Sequence, residues 1–252
     1  MKLAGMYCTN PPARLATVDG KSVAPADEAA FWGGLKSGGL RAAVLQIAGT
    51  EALRPEVREV VFQLQLTVAG SRRGQSRKLY ASVGQIWAKT GAPGAAWQIV
   101  QGVRTDLARL PQPVKVNPDL YPDNANAHAE IADAEARAAR ENKRILLIFG
   151  GQWCFDCHVL DAAFHLPEIA RVVDSSYEVV HVDIGHYDKN LDIVARCETS
   201  ITMGVPALAV IDAKGKVLFG QKNGEFEKMR ALGPEDLLAF LNRYKPAAAH
   251  SN

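Results

Sequence analysis

Arg144–His158 reads RILLIFGGQWCFDCH. Its opening, RILLIF over Arg144–Phe149, is a continuous apolar run, the pattern of a strand covered on both faces of a sheet. Two glycines turn the chain, and Cys154-Phe155-Asp156-Cys157 then opens a helix that continues through HVLDAAF. Residues three apart share a helical face, so the two sulfurs fall within bonding reach. The unpaired N–H groups and the dipole of a first helical turn stabilise an anion there. Such placement brings a thiol pKa from about 8.5 into the range of roughly 3.5–7.5. Cys154 is therefore expected to be the attacking, more exposed thiolate. Cys157, one turn in, is expected to be the resolving thiol that releases a mixed disulfide.

The chain around this stretch keeps alternating. His128–Asn142 is an alanine-rich helix, Leu166–Val173 a further helix, Tyr177–Ile184 (YEVVHVDI) a strand and Asp188–Cys197 a helix. Ala207–Asp212 and Lys216–Gly220 form a hairpin through Ala213, Lys214 and Gly215, and Pro234–Tyr244 is a closing helix. The order α-β-α-β-α-β-β-α predicts an α/β unit over 128–246 with helices on both faces.

Upstream the grammar differs. RLATVDG (Arg14–Gly20) reads as a short strand with a turn, and Asp27–Leu35 as a short helix ended by glycines. Leu40–Ala48, Val57–Val68, Arg77–Lys89 and Ala96–Arg104 read as strands. In the second, Phe62, Leu64, Leu66 and Val68 alternate with polar neighbours. Residues 1–110 thus predict an α+β domain built on a curved antiparallel sheet, with Trp32, Trp87 and Trp97 at core positions. Residues 111–127 (PQPVKVNPDLYPDNANA) are Pro-rich and aperiodic and read as a linker.

At about 150 residues per domain, 252 residues agree with two domains. A composition 48% hydrophobic and 22% charged excludes a disordered or fibrous chain. No apolar run reaches the roughly 18 residues of a membrane span. A net charge of +2 gives no case for nucleic acid. Residues 1–110 carry 14 Lys+Arg and 7 Asp+Glu against 15 and 20 in the remainder, so the halves differ in sign and present separate surfaces. Arg72, Arg73, Arg77 and Lys78 are expected to solvate a hairpin. The N-terminus, MKLAGMYCTNPP, meets Pro11 and Pro12 before any leader-like apolar stretch. As written the chain reads as cytoplasmic; a start further upstream would make it exported or periplasmic.

Trp153-Cys154-Phe155-Asp156-Cys157 on a strand-to-helix turn, followed by Gly204-Val205-Pro206 ahead of a strand, resembles the thioredoxin superfamily over about residues 125–246. The variant is one common in bacterial envelope and reductase proteins. The resemblance implies a thioredoxin fold and thiol–disulfide exchange with protein disulfides. It also implies a cis Val205–Pro206 peptide, with Trp153, Val205 and Pro206 meeting an incoming peptide as an added strand. The redox-active disulfide serves in place of any cofactor or metal, and the partners are a protein substrate and an upstream reductase. Two departures stand out. Ile148 occupies the place where family members usually carry a buried aspartate, and His181 stands where a lysine is usual, which makes it a candidate for proton transfer. Asp156, between the cysteines, should push the Cys154 thiol pKa up and draw the couple towards the reducing end, about −270 mV, rather than about −120 mV.

Other readings compete. Cys154-Phe-Asp-Cys157-His158 also spells the c-type haem attachment pattern, with Met203 as a distal ligand, but strands such as RILLIF and ALAVID have no place in a helical cytochrome. Zinc lacks a second pair of ligands. A thioredoxin-fold binding or scaffold module with a vestigial dithiol is the non-enzymatic alternative, supported by Ile148. Cys197 is expected to be a buried, inert thiol and Cys8 an unpaired one near the chain end.

VDG…AFWGGL, VREVVFQLQLTV, KLYASVGQIWAKTG and AAWQIVQGVR resemble the SnoaL-like, nuclear-transport-factor-like family over residues 14–105. That family usually begins with two long helices; with the first strand so early, they are expected to be short or missing, or to lie upstream of the start as written. With no histidine before His128, binding or homodimerisation rather than catalysis is expected of this domain.

Overall fold

The computed structural model describes residues 16–70, 72, 74–89, 94–113 and 116–247; Cys8, Arg73 and the start of RLATVDG lie outside them. The chain divides into two compact units, Met1–Lys115 and Val116–Asn252.

The first unit contains β1 (Ala16–Val18), β2 (Lys21–Val23), α1 (Pro25–Ser37), β3 (Leu40–Arg54), β4 (Val57–Ala69), β5 (Ser76–Lys89) and β6 (Trp97–Arg104). They build one sheet of order β2-β1-β6-β5-β4-β3. The four long strands are antiparallel neighbours, as their alternation predicts. The short β1 adds parallel to β6, a pairing that lay beyond the reach of sequence periodicity. β3 runs past its expected end at Ala48 because β4 pairs with it as far as Arg54↔Val57, and three register shifts bend it. Phe62, Leu64, Leu66 and Val68 form the buried face of β4 and pack with Trp32 of α1. Of the three tryptophans expected in this core, only Trp32 is there. Trp87 and Trp97 are half-buried at the sheet's far end, where an indole N–H reaches Gln85 and Arg58 and Lys89 cover a ring face. Arg72, Arg77 and Lys78 are exposed, as solvating residues should be.

A buried ion pair crosses this unit. Arg104 Nε and Nη2 donate to Glu28 Oε1 and Oε2 at 2.7 and 2.9 Å, and Trp32 Nε1 donates to Glu28 Oε1 at 2.7 Å. The guanidinium also lies over the rings of Phe31 and Trp32. Two charges out of water are tolerated only when their lone pairs and protons are this fully used.

The second unit contains α2 (Ala127–Glu141), β7 (Arg144–Gly150), α3 (Phe155–Phe164), α4 (Pro167–Ser176), β8 (Tyr177–Asp183), α5 (Leu191–Arg196), β9 (Ala207–Ile211), β10 (Val217–Gly220) and α6 (Pro234–Tyr244). The sheet order is β10-β9-β7-β8, with β7 parallel to β8 and antiparallel to β9. β7 lies between two strands, which is why RILLIF needs no polar face: Ile145–Phe149 are fully buried. α2 begins where the Asn126 side chain accepts the Ala129 N–H, and it packs on β7 and β8. α5 is shorter than expected because residues 185–190 form a turn. Among the described residues no helix is long and apolar enough to cross a membrane.

The segment expected to be a linker is tied down at both ends. Gln112 is buried in the first unit, and its carbonyl accepts from Gln63 Nε2. Leu120 and Tyr121 enter the core of the second. The side chain of Gln152 accepts the Tyr121 N–H at 3.2 Å and donates to the Asn117 carbonyl at 2.6 Å. Apolar side chains inside a polar, Pro-rich run are anchors, and composition alone hides them.

Candidate active site

β7 ends at Gly150 and α3 starts immediately after Cys154, its N-cap. Cys154 and Cys157 form a disulfide with Cα atoms 5.3 Å apart. The Cys157 N–H points at Cys154 Sγ at 3.1 Å, as an N-cap acceptor requires. Cys154 Sγ lies 3.5 Å from the Val205 carbonyl oxygen, beside the cis Val205–Pro206 peptide. Cys154, Cys157, Val205 and Pro206 are thus brought together. Exposure differs less than expected: Cys154 is 4% exposed and Cys157 1%. The asymmetry is one of surroundings, with Cys154 at the helix cap and Cys157 facing the interior beneath Gly150.

Trp153 stands at the rim, 47% exposed. Its indole N–H donates to the Gly185 carbonyl at 2.8 Å, and its ring stacks on His186 and meets Tyr187. Tyr187 and Met203 are also exposed. Held by a hydrogen bond and two ring contacts, the indole presents an apolar face without first losing rotamer freedom.

Asp156 does not stand as a lone charge beside Cys154. Arg230, in a 3-10 turn at Met229–Ala231, donates Nε and Nη2 to its two carboxylate oxygens at 3.2 and 3.1 Å, and the Arg230 backbone N–H adds a third bond at 3.1 Å. A bidentate pair offers the sulfur a field close to neutral. The expected upward push on the Cys154 thiol, and the argument for a strongly reducing couple, therefore lose their basis. Arg230→Ala should restore that push. We expect Cys154 of the reduced variant to react with a neutral alkylating agent about 3- to 30-fold more slowly at pH 7. Thermal stability should change by less than about 1 kcal/mol, since the arginine is half exposed.

Ile148 is fully buried and sits opposite His181 in the β7–β8 register, so hydrocarbon fills the place of the usual acid. His181 is a poor substitute. Burial lowers its pKa to about 4, leaving the ring neutral at pH 7. Its ring meets Tyr121 edge-on at 5.4 Å, and it lines a cavity of about 340 Å³ with Asp119, Glu130, Asp133 and Arg137. His158, the would-be haem ligand, is buried, and its Nε2 donates to the Gln152 carbonyl at 3.0 Å. Cys197 is a free, buried thiol whose pKa burial pushes up. Among the described residues no group of three or more His, Cys, Asp or Glu is arranged to hold a metal.

Three site residues escaped sequence reasoning: Gln152, Tyr121 and Arg230. Each acts across 30 or more positions of chain, so no local spacing marks them. The only trace was an aromatic residue inside a polar, Pro-rich run.

Residues 126–213 match a family model described as thioredoxin-like. Among solved structures, a disulphide isomerase from Xylella fastidiosa Temecula1 is 29% identical, over 52% of this chain and 98% of that one, with a TM-score of 0.47. The C-terminal domain of DsbD from Neisseria meningitidis, in its oxidised form, is 15% identical over 47% and 96%, with a TM-score of 0.32. An NTF2-like protein of unknown function in nutrient uptake from Rhodospirillum rubrum ATCC 11170 is 19% identical over 41% and 84%, with a TM-score of 0.30. No curated protein matches the chain.

Proposed function

We propose, from the premise that residues 126–213 form a thioredoxin-like domain, that the chain is a thiol–disulfide oxidoreductase acting on protein disulfides. The observation that carries this reading is a disulfide set at a helix N-cap, its outer sulfur receiving a backbone N–H and lying 3.5 Å from the Val205 carbonyl oxygen, in the segment that leads into β9. In the reducing direction the Cys154 thiolate attacks one sulfur of a client disulfide. That S–S bond breaks, a mixed disulfide forms, and the first client sulfur leaves and takes a proton from solvent. Cys157 loses its proton and attacks Cys154 Sγ. The second client sulfur leaves, and two electrons have passed to the client. An upstream dithiol reductase returns them. The electron carrier is the disulfide itself, and the chemistry requires no further cofactor.

Trp153, Val205 and Pro206 form the client-binding edge in this reading. The backbone around Val205 pairs with an extended client segment, and the indole covers its apolar side chains. Reduction of insulin by the wild-type chain, set beside Cys154→Ser, tests the assignment.

A further inference from the structure

We infer that the Tyr121 hydroxyl is the hydrogen-bond donor that receives the Cys157 thiolate, in place of the acid missing at Ile148; this rests on the dithiol reading above. Three observations point the same way. The Tyr121 side chain is 3% exposed and its Oη has no hydrogen-bond partner among the described residues. A Cβ placed on Gly150 would fall 2.6 Å from Cys157 Sγ and against Tyr121 Oη, so hydroxyl and sulfur flank one point and lie within about 5 Å of each other. Gln152, two residues before Cys154, holds the Tyr121 backbone through its N–H. A buried O–H left unpaired in the disulfide state is costly, and it finds an anionic acceptor only when Cys157 is reduced and deprotonated.

The phenol is a donor and not a base. Burial, with Asp161 and Asp183 adding to it, holds its pKa well above the usual phenol range. The titratable groups around it are Cys157 and Asp161 on α3, and His181 and Asp183 on β8; His181 is neutral at pH 7. In the resolving step the Cys157 S–H proton leaves to solvent while Tyr121 O–H donates to the sulfur. The thiolate then attacks Cys154 Sγ, the bond from Cys154 to the client breaks, and the client sulfur takes up a proton.

Glycine at 150 fits this arrangement, since any side chain there would fill the space between hydroxyl and sulfur.

The test is the Cys157 pKa, read from thiolate ultraviolet absorbance in Cys154→Ser with and without Tyr121→Phe. The phenylalanine keeps the ring packing on His181. We expect about tenfold less thiolate at any pH below the pKa, and in the otherwise native chain about tenfold slower release of a preformed mixed disulfide with a model peptide. A fluorinated tyrosine at 121, a stronger donor, should move the Cys157 pKa the opposite way and keeps the test open if the phenylalanine variant folds poorly. An unchanged Cys157 pKa in both variants, whatever happens to thermal stability, overturns the inference. Because this readout needs no client protein, it is separate from the proposed function, whose own failure would appear as an insulin assay insensitive to Cys154.

Discussion

Cys154→Ser should lower the rate of insulin reduction by at least about 10³-fold. Serine is close to cysteine in size, and Cys154 makes its structural contacts through an N-cap position that serine fills well. The fold should therefore persist, and near-ultraviolet circular dichroism should stay that of the reduced wild type. A hydroxyl at neutral pH has no significant anion, so the step that opens the client disulfide disappears. Cys157 is no replacement, since its sulfur lies beneath Gly150 while it is Cys154 Sγ that lies beside the Val205 segment. Equal rates of insulin turbidity for the two proteins would favour the binding-module alternative, in which the dithiol is vestigial.

Glu28→Ala is expected to be the most damaging change in the first unit, costing about 3–5 kcal/mol of its stability. The Arg104 guanidinium keeps its bond to the Thr105 carbonyl and its 3.7 Å ion pair with exposed Asp106 but loses both bonds to the buried Glu28 carboxylate, in a site almost closed to water. Trp32 Nε1 loses its acceptor at the same time. Replacing the pair together, Glu28→Met with Arg104→Met, should cost less than the single change, because it takes the buried guanidinium out along with its carboxylate. Urea unfolding followed by tryptophan fluorescence reads this directly, as Trp32 lies at the pair. A single-variant loss under about 1 kcal/mol would mean that the pair is bypassed by relaxation or water.

How much of the molecule could be read from the chain depends on how local the cause is. RILLIF and the Cys154–Cys157 spacing are local patterns, and the strand, turn, helix and disulfide stand where those patterns place them. Val205–Pro206 was found because the resemblance marked it, and the cis peptide is there. The alternation in β4 likewise revealed which of its faces packs on Trp32. Other features depend on partners distant in sequence. β1 reaches β6 across more than 80 residues, Glu28 finds Arg104 at a separation of 76, and Arg230 finds Asp156 at 74. The Asp156 expectation was incomplete for this reason: a carboxylate was visible, the arginine that pairs with it was not. His181 was placed on the correct strand, but its burial, which sets its protonation, is a property of packing.

The most direct measurement is the equilibrium of the purified chain with graded glutathione redox buffers, following Cys154 and Cys157 by alkylation of the native protein. The proposed function predicts one two-electron transition, tenfold in equilibrium constant for each roughly 30 mV, lying within the span of about −270 to −120 mV, with the fold intact on both sides. A bond that stays closed, or two thiols that stay unreactive, until the protein unfolds would contradict it.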